Sequence, residues 1–273
     1  MTLRCNFHTH TDLCDGKHTA EQMILGAIEL GCTALGFTGH SYLVTTDGDD
    51  WTMSKSGELE YISEVERLKS KYADKIEILL GIEQDYFSER PSYAYDYVIG
   101  SVHAVIKDGV RIDVDLAPEA LMAHVERYYG GDVMALVKDY YSLVADVVNK
   151  TDCDIIGHVD LITKFNQKYP FIDTCSKEYR AYALEAMDAL IETHKIFEIN
   201  TGAISRGWRK DPYPEDFLLK YLAEKNADIM LNSDAHSKDA ILCGFDDAVA
   251  YARACGVKEL CVFENKKIKK ISV

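Results

Sequence analysis

A set of histidines and carboxylates stands at or just beyond the ends of apolar runs in this sequence: His8, His10, His40, Glu83, His103, His158, Asp234 and His236. Imidazole and carboxylate suit Zn²⁺, Fe²⁺ and Mn²⁺ alike. The set exceeds the roughly four ligands that one tetrahedral ion accepts. That points to a polynuclear centre and to hydrolysis by a metal-bound hydroxide. In His8-Thr9-His10 the two imidazoles are two residues apart, so on a strand both face the same side and can converge on one ion. Asp15-Gly16 follows in a loop, where an aspartate commonly caps or turns the chain. Glycine lies shortly before His40, His103 and His158, where it allows close backbone approach. Any one of these residues could simply be a polar group emerging as a strand meets water. Jointly they are almost exclusively His, Asp and Glu, and in a parallel barrel the strand ends share one face.

The elements that must position them alternate short apolar runs with amphipathic stretches, the pattern of repeated βα units around a parallel sheet. Strands are expected at Arg4–His10, Thr33–His40, Lys75–Glu83, Tyr97–His103, Asp154–His158, Ile196–Asn200 and Ala227–Ser233, with a shorter eighth at Glu259–Phe263. Thr19-x-x-Gln22 reads as a capping box opening a helix that closes at Gly31. Later crossover helices are expected at Leu59–Tyr72, Ser176–His194, Glu215–Asn226 and Asp246–Cys255. Two stretches exceed the minimal unit. Ser41–Gly57 is polar, with Asp47, Asp49 and Asp50, and reads as an extended loop. Ala104–Lys150 is too long for one crossover and should carry two helices, Pro118–Tyr129 and Asp132–Asn149. Insertions after strand C-termini lie on the active face of a barrel, so both are candidates for the substrate enclosure.

With 273 residues, of which 47% are hydrophobic, the chain can bury a sizeable core, and barrels reach this length as single domains. A net charge of −15 argues against general nucleic-acid binding. It does not exclude an anionic substrate, because bound metals reverse the local sign. No apolar run approaches a membrane span, and the 8 cysteines form no Cys-x-x-Cys pair, which reads as a reduced, cytoplasmic protein.

The order His-x-His, Asp-Gly, Gly-His, Gly-x-Glu, Ser-x-His, Gly-His-x-Asp and Asn-Ser-Asp-Ala-His, running from His8 to His236, resembles the PHP (polymerase and histidinol phosphatase) superfamily, and within it the monofunctional histidinol-phosphatase branch. The resemblance implies an α/β fold, a distorted (β/α)7 barrel with the metal site at the C-terminal strand ends. Residues 1–273 would form a single PHP-type domain with a helical insertion near 104–150. It also implies three divalent ions of Zn, Fe or Mn. His8, His10, Glu83 and Asp234 would hold the first, Glu83 would bridge to a second completed by His103 and His158, and Asp15, His40 and His236 would hold the third. Glu83 and Asp234 are thereby catalytic candidates together with Arg206.

Three divalent ions, less three carboxylates and a bridging hydroxide, leave a charge of about +2, which suits a phosphomonoester dianion. Phosphate recognition recruits arginine or lysine. Ile204-Ser205-Arg206-Gly207-Trp208-Arg209-Lys210 follows a strand end and so should lie on the active face; the PHP resemblance implies Arg206 as the leading phosphate contact with Arg209 second, and Asp160 and Lys164 are further pocket candidates. Asp47, Asp49, Asp50, Tyr42 and Trp51 offer the carboxylates and rings that an ammonium and an imidazole would seek. His18, His124 and His194 fall outside the pattern, and Cys14 reads as a bystander thiol. The expected activity is hydrolysis of L-histidinol phosphate to L-histidinol and phosphate in histidine biosynthesis. One rival is a PHP phosphoesterase for another small or nucleotide-derived phosphate. The other is a non-catalytic, metal-binding regulatory module.

Overall fold

The computed structural model describes residues 3–43 and 51–273. Its strands are β1 (Cys5–Asn6), β2 (Ala34–Phe37), β3 (Glu77–Asp85), β4 (Tyr97–Ser101), β5 (Ala104–Lys107), β6 (Val110–Asp113), β7 (Ile155–Ile156), β8 (Ile196–Asn200), β9 (Ile229–Asn232), β10 (Glu259–Glu264) and β11 (Lys267–Ser272). The helices are α1 (Ala20–Glu29), α2 (Lys55–Lys71), α3 (Pro118–Tyr129), α4 (Val133–Thr151), α5 (Lys177–Ile191), α6 (Gly202–Ser205), α7 (Asp216–Glu224) and α8 (Phe245–Ala254). β1, β2, β3, β4, β7, β8 and β9 pair side by side in that order, all parallel, as a nearly closed seven-stranded barrel flanked by helices. Right-handed βα crossovers impose this arrangement on a chain of alternating apolar runs and amphipathic helices.

The barrel strands fall where the apolar runs predict them, but β1 and β7 are only 2 residues long. The ladder stops because the backbone ahead is claimed by side chains. Asn6 Oδ1 accepts from His8 N at 3.2 Å, and Glu198 Oε2 accepts from His158 N at 3.0 Å. The seam between β9 and β1 is closed by a single parallel bridge, Thr9 to Ala235, and by Asn232 Oδ1 accepting from Phe7 N at 2.9 Å. Tyr97 lies across the barrel interior and donates to Phe7 O at 2.7 Å. A methyl at Gly36 would collide with its hydroxyl, and one at Gly81 would come within 2.6 Å of its ring.

Helix starts follow local chemistry. Thr19 and Gln22 form the capping box of α1, and Asp132 and Ser176 cap α4 and α5 through their side chains. The structure adds detail to two expectations. The 104–150 stretch opens with an antiparallel hairpin, β5–β6, before its two helices. Its turn is Asp108-Gly109, both at positive φ (50° and 77°), a dipeptide that favours tight hairpins. The eighth strand candidate does not extend the barrel. It is β10, which forms a separate antiparallel pair with β11, while Phe263 packs its ring against Phe7 (5.1 Å) and Tyr97 (5.0 Å). Among the described residues no helix is long and apolar enough to cross a membrane.

Candidate metal centre

The C-terminal ends of the barrel strands and the segments leaving them bring all nine residues of the expected ligand set to one place. Glu83 stands at the centre and is 1% exposed. Its two oxygens face different partners. Oε1 lies 3.4 Å from His103 Nε2 and 3.1 Å from His158 Nε2. Oε2 lies 3.2 Å from His8 Nε2, 3.5 Å from His10 Nε2 and 2.9 Å from His40 Nδ1. Asp234 Oδ1 is 3.2 Å from His10 Nε2 and 3.8 Å from His8 Nε2. At the rim, Asp15 reaches His236 Nε2 at 3.0 Å, His10 Nδ1 at 3.6 Å and His40 Nε2 at 3.7 Å. Donor atoms of His10, Asp15, His40 and His236 lie within 4.8 Å of one another, as do those of His8, His10 and Glu83 and those of His40, Glu83 and His103.

These residues fit divalent cations. His8 Nε2, His10 Nε2, His40 Nδ1 and Glu83 Oε2 are buried and make no hydrogen bond among the described residues. Orphaned donors and acceptors at such depth are costly unless something satisfies them. An imidazole–carboxylate set of this kind is the donor chemistry of Zn, Fe and Mn.

Charge coupling within the cluster is strong. Burial opposes ionisation of Glu83, yet His40, His8 and His103 hold its carboxyl well below the usual range. Burial likewise disfavours charged Asp234, and Arg206 and His8 override it. His8 is driven well above the ordinary imidazole range despite burial, chiefly by Glu198 and Glu83. His10 is pushed down to about 3 by burial and by His236 and His40. Cys14, 3.6 Å from His10 Nδ1, is pushed up to about 12 by burial and by Asp15, and so stays a neutral thiol.

A cavity of about 310 Å³ opens over the cluster, and Trp51, Asp113, Asp115, Leu116, Leu161, Lys164 and Arg206 contribute to its wall. Arg206 is at its edge, with Nη2 2.8 Å from Asp234 Oδ2 and Nη1 2.9 Å from His236 Nδ1. Lys164 Nζ donates to Asp115 O at 2.8 Å and to Asp115 Oδ2 at 3.0 Å. The other two candidates lie elsewhere. Arg209 is buried behind the wall, donating to Thr163 Oγ1 at 2.6 Å and lying over the Tyr213 ring. Asp160 is wholly buried and accepts from Glu215 N at 2.8 Å. Trp51 stacks edge-on to His40 at 4.8 Å, whereas Tyr42 lines a separate crevice. Asp47, Asp49 and Asp50 lie outside the described residues. His18 accepts a hydrogen bond from Lys238 N, His124 packs on Tyr128, and His194 lies in the turn after α5 at positive φ; none of them joins the cluster.

Two carboxylates were missed by sequence reasoning. Asp85 Oδ2 is 3.0 Å from His103 Nδ1, and Glu198 Oε1 is 2.7 Å from His8 Nδ1. Asp85 is two residues beyond Glu83 on β3 and so shares its face. Glu198 is a lone acid in the apolar strand Ile-Phe-Glu-Ile-Asn, itself a signal, since a fully buried glutamate is rare unless paired.

The PHP domain family model matches residues 6–202. The chain belongs to the PHP family. It is 31% identical to a Deinococcus radiodurans protein named "Probable histidinol-phosphatase", over 98% of this chain and 100% of that one. A Schizosaccharomyces pombe protein of the same name is 32% identical, over 97% and 90%. The solved histidinol phosphate phosphatase of Lactococcus lactis, in complex with zinc, L-histidinol and phosphate, superposes with a TM-score of 0.72 at 22% identity, over 97% of this chain and 98% of that one. That likeness shows the shared PHP barrel fold.

Proposed function

We propose that this chain is a metal-dependent histidinol-phosphatase that releases L-histidinol and phosphate from L-histidinol phosphate, a cytoplasmic step of histidine biosynthesis. The observation that carries the reading is the division of Glu83, whose two oxygens face separate groups of histidines on the floor of a cavity edged by Arg206. The substrate is supported by the names of the full-length relatives and by the ligands of the Lactococcus structure. Residues 1–273 are read as one barrel domain that carries the β5–α4 stretch as its insertion.

His8, His10, Glu83 and Asp234 would hold one divalent ion, Glu83, His103 and His158 a second, and Asp15, His40 and His236 a third. Ions bound there supply Lewis acidity, drawing charge from phosphoryl oxygens and easing the ionisation of water. The protein's own groups do the rest. Arg206 spends only part of its five-donor guanidinium on Asp234 and His236, which leaves N–H groups for a phosphate. Asp85 and Glu198, hydrogen-bonded to His103 and His8, add two negative charges beside the ligand set and offset its excess of about +2. Arg206 and Lys164 must therefore supply more of the attraction for a dianion. Asp115 and Trp51 offer a carboxylate and a ring to the ammonium and imidazole of the substrate.

The test is phosphate release by the metal-restored enzyme from L-histidinol phosphate and from nucleoside monophosphates. Preference for the former is expected. Preference for a nucleotide would replace the substrate, and hydrolysis of no phosphoester would leave a metal-binding module.

A further inference from the structure

We infer that Glu198 is a positioning residue that fixes the tautomer and rotation of His8, so that Nε2 presents its lone pair to the metal centre. The inference rests on the metal site proposed above but not on its substrate. Glu198 lies behind His8, on the side away from the cavity, with none of its side chain exposed. Its Oε1 takes His8 Nδ1 at 2.7 Å and Asn232 Nδ2 at 3.0 Å. Its Oε2 takes His158 N at 3.0 Å and Asn200 Nδ2 at 2.9 Å.

The donors among these partners are not interchangeable with acceptors. His158 N is a backbone amide. Asn232 is oriented by Phe7 N, which donates to its Oδ1 at 2.9 Å, and Asn200 by Gly202 N, which donates to its Oδ1 at 2.8 Å. Both amide NH₂ groups are therefore turned toward Glu198. With a fixed donor set against each oxygen, Glu198 is held as a carboxylate, which can only accept, so Nδ1 of His8 carries the proton. Neutral His8 then has its lone pair on Nε2, 3.2 Å from Glu83 Oε2 and 3.8 Å from Asp234 Oδ1. A ring held in this way cannot turn its N–H toward the ion, and the carboxylate raises the basicity of the ligand nitrogen.

Glutamine is the nearest isostere, yet it fails on this chemistry. Its NH₂ would be set against Asn232 and His8 or against Asn200 and the His158 amide. Either placement opposes donor to donor, or forces His8 into the other tautomer with its N–H aimed at the metal.

The experiment measures metal directly. Glu198→Gln and wild type are loaded with Zn²⁺, and bound zinc and its release to a chelator are followed, with circular dichroism and thermal melting as controls for folding. Glu198→Gln is expected to bind one ion roughly 10- to 100-fold more weakly, while Glu198→Asp recovers part of the affinity. In a His8→Ala background the glutamine substitution should add no further loss. Wild-type zinc affinity in a folded Glu198→Gln protein would overturn the inference, as would an equal extra loss without His8. If Glu198→Gln does not fold, the imidazole nitrogen NMR spectrum of zinc-loaded wild type decides. A proton on His8 Nδ1 in a strong hydrogen bond supports the role, and a proton on Nε2 overturns it. Because no phosphoester enters these assays, failure of wild type to hydrolyse histidinol phosphate would refute the proposed function and leave this result standing.

Discussion

Arg206→Ala should separate phosphate binding from metal binding. Asp234 divides its oxygens: Oδ2 pairs with Arg206 at 2.8 Å, while Oδ1 faces His10 at 3.2 Å and His236 at 3.4 Å. Removing the guanidinium leaves the histidine-facing oxygen in place, and His236 Nδ1 keeps Asp234 O as a partner at 3.0 Å, so bound metal should stay at the wild-type level. A hydrogen bond to a charged group contributes about 1.5–3 kcal/mol. The Arg206 side chain is 29% exposed, so solvent screening places its contribution in the lower half of that range, about 1.5–2 kcal/mol. That corresponds to a roughly ten- to thirtyfold fall in kcat/KM, with a similar weakening of inhibition by inorganic phosphate. Arg206→Lys should recover only part, since it keeps the charge and loses the planar fork. Gly202→Ala offers an independent route, because its methyl would lie 2.7 Å from both Arg206 Nη2 and Asp234 Oδ2 and force the pair to shift. The assay is phosphate release at saturating metal, with elemental analysis of each variant. An unchanged kcat/KM in Arg206→Ala, or metal loss in step with activity, would refute the argument.

Glu83→Ala should lower bound metal by more than His40→Ala does and abolish activity, because Glu83 faces two groups of histidines; full occupancy by elemental analysis would count against a bridge. Asp115→Asn should reduce kcat/KM roughly tenfold for histidinol phosphate and much less for p-nitrophenyl phosphate; equal losses on both would mean that it acts through Lys164 or the fold. Glu215 is pushed up from its ordinary 4.5 to about 7 by burial and by Asp160. Its folded value exceeds its unfolded one, so the folded state holds the extra proton and loses stability as pH rises through that window, by up to about 3 kcal/mol. Urea unfolding on both sides of the window should show Glu215→Gln flattening this slope; parallel slopes would exclude the effect.

Much of the candidate site was legible because the proposed ligands sit where apolar runs end, and a parallel barrel collects those ends on one face. His8, His40, Glu83, His103, His158 and Asp234 each mark such an end. Strand lengths were less legible: β1 and β7 stop early where Asn6 and Glu198 capture backbone amides, and a side chain's choice of amide leaves no periodicity to read. The β5–β6 hairpin carried a local sign in Asp108-Gly109, hidden inside a stretch whose length suggested helices. Arg209 shows the opposite failure. It shares a loop with Arg206, but the turn through Gly207 (φ 73°) separates the two guanidinium groups, one to the cavity edge and one beneath it. Sequence proximity could not distinguish them.

The seam between β9 and β1 has a consequence for biogenesis. The proposed ligands His8 and His10 stand on one side of it and Asp234 and His236 on the other, and Asn232 reaches Phe7 across 225 residues of chain. No nascent fragment that ends before β9 contains the complete proposed first or third site, so metal capture there would await synthesis as far as Asp234 or His236. Ions held there would act as a clasp between the first and last strands of the barrel. Ions that bind the closed form in preference would favour it by mass action. Without metal that seam would rest on its own hydrogen bonds alone, the Thr9–Ala235 bridge and those joining Asn6 and Phe7 to Ser233 and Asn232, so it should be the first line of the barrel to open.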